Sequence, residues 1–423
     1  MYKELTKELF EFIKESPSCY HAIDNVEKEL QVNGFEKLQK DSEWELEQGG
    51  KYYVTSNQST LIAFQLPENE YNGYHIVGSH SDSPTFKIKH NPDIQFEKAY
   101  TTLSVEVYGG PIMSTWQDRP LSIAGRIVCE ENGELVEKHV DFGTDCVSIV
   151  NLAIHMNREV NKGVPMQVSK DMTPIWAGAG SDKNFMQELA KVAEVPVESI
   201  LDMDLFLYNR MDGVIWGANG EFISAPRLDD LQCVFTSMKA FISTTPTEKI
   251  SVLGIFDNEE VGSGTRQGAK STFLDSVLKR IAENQGRTEE GYAMDLTKSF
   301  LLSADNAHAT HPNYPEKADK TNHPYPNGGV VIKYAGNQMY TTDARSGAYV
   351  KLLCKQGDIP YQLFLNHSDV LGGSTLGNLA VQQLPIPAAD IGAAQLAMHS
   401  AYEMGGVEDS HHLLCLMKEF YSK

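Results

Sequence analysis

The sequence predicts an α/β protein in which a mixed, mostly parallel sheet is flanked by helices and a β-rich domain is inserted into the chain. Apolar runs of strand length alternate with helical stripes in both outer parts of the sequence. This alternation is typical of a parallel sheet covered by helices on both faces. Between about residues 89 and 222, short β-like runs are instead separated by Gly, Pro and Asn, which indicates an insertion.

The outer segments, 1–88 and 223–423, are predicted to form one domain around the insertion at 89–222. Two helices are expected within residues 1–31, separated at Ser16-Pro17. Strands are expected, in chain order, at 52–54, 60–64, 74–78, 251–256, 299–303, 329–334 and 361–365. Later helices are expected at 231–242, around 390–404, and near the end, where Leu413, Leu416, Met417 and Phe420 share a face.

Within the insertion, β-like runs are expected at 103–108, 124–129 and 205–208. Helical periodicity is predicted only at 146–159 and 184–192. This part is rich in apolar segments and lacks an obvious set of catalytic carboxylates. We therefore expect the insertion to build contacts between subunits.

The composition describes an acidic globular chain. It has 423 residues, of which 41% are hydrophobic and 22% charged, and a formal net charge of −21. That charge repels phosphate backbones, so we expect no nucleic-acid partner. The first residues do not form a signal peptide, and no run of about 18 apolar residues would span a membrane. Six scattered cysteines without a CxxC pair suit a cytoplasmic protein with reduced thiols.

Two adjacent glutamates, Glu259 and Glu260, follow the apolar run 251–256. Buried carboxylates are costly unless they are paired or bind a metal. Neighbouring glutamates can divide the chemistry, with one ligating a metal and the other moving a proton. For this pair taken alone, a solvated acidic turn is the alternative.

Other acidic or imidazole side chains follow further predicted strands. His80 and Asp82 follow one strand, Asp305 follows another, and Asp229 opens a helix. In open α/β sheets, sites form beyond the carboxyl ends of the strands. Oxygen ligands combined with histidine suit zinc, or manganese or cobalt as substitutes. Taken singly, His80 could be a hydrogen-bonded core histidine and the aspartates helix caps, but their common placement favours a metal site.

The combined motifs resemble the M18 family of metallo-aminopeptidases, the aspartyl aminopeptidase family. They are GSHSDSP (78–84), APRLDDL (225–231), DNEEVGS (257–263), SADNAHATHPNY (303–314) and LAMHS (396–400). Supporting segments are ESPSCYHA (15–22), TWQDRPLSIAGR (115–126) and NLAIHMNREVNKG (151–163). Each motif is weak alone, but together they run over nearly the whole chain in the family's order. The resemblance implies a zinc-peptidase fold with an inserted dimerisation domain.

Carried over position by position, the resemblance implies a centre of two zinc ions. Asp229 would bridge the ions, and the full ligand set would be His80, Asp229, Glu260, Asp305 and His399. Glu259 would be the general base, and Asp82 would orient His80. The substrate pocket would be lined by Lys333, Tyr340, Gly373 and Ser374. His155 would contact a metal or the substrate of a neighbouring subunit, and we favour the second role.

The resemblance further implies dimers that assemble into a tetrahedral dodecamer and act on short peptides. An acidic first residue, Asp or Glu, is the expected preference, and Lys333 is the candidate cation; a surface lysine is the alternative interpretation. Met339 stands where relatives of the aspartyl enzyme carry Arg, and the segment 366–371 also departs from the family. Broader specificity for neutral residues is therefore the alternative. His367, in that segment, is a second candidate ligand.

Two further functions are compatible with such a site. A small-molecule amidohydrolase would use the same chemistry without needing a free N-terminal amine. A metal-binding scaffold without catalysis would need ligands but no base, so Glu259 argues against it. We therefore expect a metallo-aminopeptidase that uses a metal-activated water with Glu259 as general base.

Overall fold

The computed structural model describes residues 2–163, 165–181, 183–370 and 372–423. The α-helices in this part of the chain are α1 Tyr2–Lys14, α2 Cys19–Val32, α3 Val168–Asp171, α4 Phe185–Val192, α5 Leu228–Ile242, α6 Phe273–Asn284, α7 Glu289–Thr297, α8 Ala344–Gln356, α9 Leu376–Ala380 and α10 Asp409–Tyr421. None of these described helices is long and apolar enough to cross a membrane.

The strands of the described residues alternate with these helices and form two large sheets. In chain order they are β1 Glu36–Lys37, β2 Lys51–Ser56, β3 Thr60–Gln65, β4 Tyr74–His80, β5 Thr85–Phe96, β6 Tyr100–Tyr108, β7 Pro120–Glu131, β8 Glu134–Asp141, β9 Val147–Ser148, β10 Ile175–Gly178, β11 Ile200–Tyr208, β12 Val214–Trp216, β13 Phe222–Ala225, β14 Ile250–Phe256, β15 Phe300–Ala304, β16 Ala307–His308, β17 Val330–Tyr334, β18 Tyr361–Leu365, β19 Ala388–Gly392, β20 Ala394–Gln395 and β21 Glu403–Gly406.

A mixed sheet forms the centre, with the strand order β1-β2-β3-β14-β4-β15-β19-β17-β18. Strand β4 pairs in parallel with β14 and with β15, whereas antiparallel pairs occur on both sides of this centre. Val77 packs in a cluster with α1, α2, α5, α8 and α10, and its neighbour Ile76 packs in a second cluster with α6, α7 and α9. Because successive strand residues point to opposite faces, helices cover both sides of the sheet. The predicted α/β class with a mixed sheet is confirmed.

The central strands end at one edge of this sheet. His80 is the last residue of β4 and is in register with Phe256, the last residue of β14. Glu259 and Glu260 begin the short 3₁₀ turn after β14, and Asp305 directly follows β15. Because parallel neighbours present their carboxyl ends at the same edge, these side chains come together there.

Residues 85–208 contribute a second sheet, ordered β11-β5-β6-β10-β9-β7-β8 within the described chain. It has an apolar cluster of its own, which includes Phe86, Leu103 and Leu205. Its first strand begins at Thr85, before the predicted start of the insertion at 89. Strand β12 belongs elsewhere, because it pairs through β13 with β21 near the end of the chain. The domain boundaries at 88 and 222 stay a prediction.

The two helices predicted in the insertion have different outcomes. The prediction at 184–192 is confirmed by α4, whose first turn is capped by the Asn184 side chain. The helix predicted at 146–159 is wrong, because β9 and an exposed loop occupy that segment. Apolar side chains alternate along this loop and are 46–74% exposed: Val150, Leu152, Ile154 and Met156. Because these side chains do not pack against a core in the described part of the chain, tertiary contacts do not stabilise a helix here.

The helix predicted around 390–404 is also wrong, because the segment forms β19, β20 and β21. Strand β19 is inserted between β15 and β17 and is fully buried. Pairing with strands that are distant in sequence outweighs local periodicity at such a position. His399 follows in a turn with φ of 66°, a left-handed conformation that a regular α-helix does not contain.

A buried histidine of the central sheet should make stability depend on pH. His75 is 2% exposed and packs 4.4 Å from the Phe420 ring; burial, with a smaller effect of Lys249, lowers its pKa from 6.5 to about 3. Between these pH values the unfolded chain binds one more proton than the folded chain, so the free energy of unfolding falls as pH falls. The cost to the folded state at pH 5 is about 2 kcal/mol.

We therefore expect His75→Phe to reduce the loss of stability between pH 7 and pH 5 by about that amount. Denaturant unfolding of both proteins at the two pH values measures this difference. Ile76→Val, in the same strand, supplies the control, since it changes packing without removing a titrating group and should leave the pH dependence unchanged. An unaltered pH dependence in His75→Phe would contradict the assignment.

Candidate metal centre

Two clusters of potential ligands meet at the sheet edge and share Asp229. In the first, the His80 Nε2 lies 3.5 Å from the Asp229 Oδ1 and 4.0 Å from the Asp305 Oδ1. In the second, the His399 Nε2 lies 3.5 Å from the Asp229 Oδ2 and 3.4 Å from the Glu260 Oε2. The two oxygens of Asp229 therefore face different clusters, which is the arrangement expected of a bridging carboxylate. The structure brings all five predicted ligands together.

The clusters have the donor set and the unmet charge of a metal site. Asp229 Oδ1, Asp230 Oδ1 and Glu260 Oε1 are buried without a hydrogen-bond partner. Burial, together with the neighbouring Asp229 carboxylate, raises the pKa of Glu260 well above its ordinary value. Despite its own burial, Asp229 is held at a low pKa by the nearby imidazoles of His399 and His80. Cations between these oxygens would relieve both the desolvation and the repulsion, so the residues fit divalent metals such as zinc.

Asp82 connects several parts of the site. Its Oδ1 accepts a hydrogen bond from the Glu259 N–H and its Oδ2 from the Glu260 N–H, each at 3.1 Å. The Tyr108 hydroxyl donates to the Asp82 Oδ2 at 2.7 Å. The Nδ1 of His80 lies 3.0 Å from the Asp82 carbonyl oxygen and 3.4 Å from its carboxylate. With Nδ1 facing these acceptors, Nε2 is left to face the cluster, as the predicted orienting role of Asp82 requires.

His399 is oriented by the chain of the second sheet. Its Nδ1 lies 3.1 Å from the Gly110 carbonyl oxygen, and its own carbonyl accepts from the Ile112 N–H at 2.9 Å. The Nε2 is thereby directed at the second cluster. His367, the competing candidate, is half-buried and belongs to none of the ligand clusters of the described residues.

Glu259 has the environment of a proton acceptor. It lies with His80 and Glu260 in one group of potential ligands. Burial, with the nearby Asp305, Asp82 and Asp229 carboxylates, raises its pKa from 4.5 to about 8. A raised pKa makes the ionised carboxylate a stronger proton acceptor, and bound cations would favour that ionised form.

Lys333 is buried against the first cluster. Its Nζ donates to the Asn306 carbonyl oxygen at 2.8 Å and lies 3.6 Å from the Asp305 Oδ2. Only 2% of Lys333 is exposed, so the surface alternative is wrong. The ring of Tyr340, which is also buried, lies 5.3 Å from its Nζ. The Asp305 carboxylate therefore compensates part of the positive charge of Lys333.

A pocket of about 250 Å³ lies beside these residues and is lined by Gly373, His308 and Phe364, among others. Ser374 follows, and its hydroxyl donates to the Asn378 side chain at 3.0 Å. Burial, with the charge of Lys333 as the next cause, lowers the pKa of His308. Of the predicted substrate-binding residues, Gly373 lines this pocket, and the substrate role of the glycine-rich segment stays a prediction.

His155 lies elsewhere, exposed in the loop 150–156, and joins none of the ligand clusters of the described residues. The loop is fixed at its base, because the Asp118 carboxylate accepts from the Asn151 N–H at 2.8 Å and from its side-chain amide at 2.7 Å. Within one subunit, His155 is not brought to the metal centre.

Three residues at the site were missed by sequence reasoning: Asp230, Glu403 and His308. Asp230 accepts from the His80 N–H at 3.1 Å and lies in the first cluster. The sequence carried a signal for these residues. Asp230 adjoins Asp229, and His308 lies three residues after Asp305. Glu403 also gave a signal, because the wrongly predicted helix around 390–404 would itself place residue 403 one turn after His399.

Comparisons with known proteins identify chains that are similar to this one over nearly its whole length. A sequence model of the family described as aminopeptidase I zinc metalloprotease (M18) matches residues 12–421. A probable M18 family aminopeptidase 2 of Clostridium novyi is 42% identical over 428 residues, covering 99% of each chain. Yeast aminopeptidase 1 superposes with a TM-score of 0.87 at 28% identity, covering 100% of this chain and 97% of that one. The S. cerevisiae mApe1 dodecamer gives a TM-score of 0.86 at 29% identity, covering 99% and 97%.

Proposed function

The chain belongs to the M18 family of zinc metallo-aminopeptidases, and we propose that it removes the N-terminal residue of short peptides at a centre of two zinc ions. The observation that carries the proposal is the pair of ligand clusters that share Asp229. His80 and Asp305 would complete the site of one ion, and Glu260 and His399 that of the other. Manganese or cobalt would be substitutes, since the same donors accept them.

The residues divide the reaction between them. Bound zinc would lower the pKa of a water and polarise the scissile carbonyl. Glu259, beside both clusters, would take a proton from the attacking water and return it to the leaving amine. The buried carboxylates favour a positive group, which suits the free α-amine that an exopeptidase must recognise. The free cysteines fit the expected cytoplasmic location.

Matched substrates with free and acetylated N termini test this function. We expect zinc-loaded protein to hydrolyse aminoacyl anilides and to leave their N-acetyl forms intact, while chelation removes activity and zinc restores it. Equal turnover of the acetylated forms would identify the small-molecule amidohydrolase instead. Two bound zinc ions without turnover of any peptide substrate would identify the scaffold.

The preference for the first residue is proposed to be acidic. Lys333 is a fixed buried cation beside the cluster. If Asp305 binds zinc, its carboxylate would compensate the charge of Lys333 less, and the lysine could then attract an acidic substrate side chain. We expect kcat/KM for aspartyl and glutamyl substrates to exceed that for leucyl and alanyl substrates by about tenfold or more. Lys333→Met should reduce this ratio, and Lys351→Met is the control. Equal or better cleavage of the neutral substrates would make this a member of broader specificity.

Assembly into dimers and a tetrahedral dodecamer is proposed from the exposed apolar loop 150–156 and from the dodecamer of the related yeast enzyme. An apolar loop with a fixed base suits burial in a neighbouring subunit. His155 would then reach the neighbour's substrate, since it reaches no metal ligand in its own subunit. An enclosed assembly would restrict access to short peptides.

Mixed oligomers test this role of His155. If each active site combines Glu259 of one subunit with His155 of another, inactive Glu259→Gln and inactive His155→Ala subunits should complement each other. Random exchange between dimers would restore about a quarter of the active sites. Unmixed samples of each variant give the baseline. A fully active monomer in sedimentation, or hybrids without recovered activity, would contradict the proposal.

A further inference from the structure

The buried carboxylate of Glu403 contacts two ligand segments at once. Its Oε2 accepts a hydrogen bond from the Asp229 N–H at 3.0 Å, and its Oε1 accepts one from the His399 N–H at 2.7 Å. The side chain is 1% exposed. Each oxygen is thus committed to one backbone amide of the second ligand cluster.

The two ligand segments need such a contact because regular structure does not hold them. Asp229 has φ −83° and ψ 107° inside the first turn of α5, which is not helical geometry. His399 has φ 66°, and Ala397 two residues earlier has φ 55°. Left-handed backbone at residues other than glycine is unfavourable, and surrounding contacts must compensate it.

Glu403 itself stands on a regular element. It begins β21, where it pairs with Ala225 at the end of β13. The chain runs from β13 directly into the segment that carries Asp229, so the pairing sets Glu403 beside that segment. A strand therefore supplies the rigid position from which one carboxylate reaches both amides.

Asp82 makes the same kind of contact on the other side of the site, where it accepts from the Glu259 and Glu260 amides. From this correspondence we infer that Glu403 is a positioning residue of the metal centre: it fixes Asp229 and His399 so that both face the second ion. The inference rests on the proposed two-ion function.

The chemistry distinguishes this role from simple space filling. A carboxylate offers an acceptor to each amide, whereas a glutamine of the same shape offers one acceptor and one N–H group. In Glu403→Gln, a donor would face a donor at one of the two backbone positions. In Glu403→Asp, the charge remains but the side chain is one methylene shorter and would not reach both amides.

The test is a zinc titration of metal-free full-length protein against a chelating indicator, with cobalt absorption spectra on the same variants. We expect Glu403→Gln and Glu403→Asp to bind one of two ions about 10–100-fold more weakly than the unchanged protein. The affinity for the ion held by His80 and Asp305 should be less affected. His399→Ala should show the same pattern. The cobalt spectrum should lose the contribution of the weakened site.

Asp409→Asn is the matched control, because Asp409 is another buried acid that accepts a backbone amide, that of Asn327 at 2.8 Å. It should lower stability without changing zinc affinity. Native affinity for both ions in folded Glu403→Gln would overturn the inference and leave the proposed function intact. If Glu403→Gln does not fold, native affinity for both ions in Glu403→Asp would overturn the inference. Failure of the unchanged protein to bind two ions would instead refute the proposed function.

Discussion

Glu259→Gln is expected to abolish peptide hydrolysis while the protein keeps both metal ions. The amide retains the size of the side chain but cannot take a proton from water, and general acid–base catalysis contributes about 10²–10⁴-fold to such reactions. Glu259 is not needed as a ligand, because each cluster that shares Asp229 is complete without it. Steady-state kinetics and metal analysis of one preparation measure both effects.

Glu260→Gln is the matched control for this experiment. The two glutamates are adjacent, and their backbone N–H groups both donate to the Asp82 carboxylate. Glu260→Gln should weaken the ion that lies near His399, since the Glu260 Oε2 is 3.4 Å from that imidazole. If Glu259→Gln lost a metal and Glu260→Gln did not, the two roles would be reversed.

His399→Ala is expected to lose one ion and at least about 100-fold in activity, because it removes one of three protein ligands from the second site. His367→Ala should retain both ions. The structure motivates the contrast: the His399 Nε2 faces Asp229 and Glu260, whereas His367 lies in no ligand cluster of the described chain.

Zinc content and turnover of these two variants give the comparison. Thermal unfolding with and without zinc adds a readout that does not depend on activity, since a lost ligand reduces stabilisation by the metal. Loss of metal from His367→Ala with retention in His399→Ala would contradict the assignment.

The sheet and much of the site were predictable because their signals are local. Strands β4, β14 and β15 are apolar runs, and His80, Glu259 and Asp305 follow them within a few residues. Parallel pairing then brings these strand ends together without further information. Asp229 was found by its motif, although its backbone departs from the helix that it opens.

The parts that failed depend on long-range contacts. The segment around 390–404 has helical periodicity, yet its first residues belong to β19, which lies between β15 and β17 in the sheet. His399 contacts Gly110, which is distant from it in sequence, and its left-handed backbone conformation has no signal in the local periodicity. The apolar residues of the loop 150–156 are exposed in the described part of the chain, so their spacing misleadingly indicated a helix.

Anomalous diffraction at the zinc absorption edge from zinc-loaded crystals tests the two-ion centre most directly. We expect two peaks, one on each side of the Asp229 carboxylate. One peak should lie within zinc-ligand distance, about 2.0–2.2 Å, of His80 and Asp305, and the other at that distance from Glu260 and His399. A single peak, or a peak coordinated by His367 with His399 remote, would contradict it.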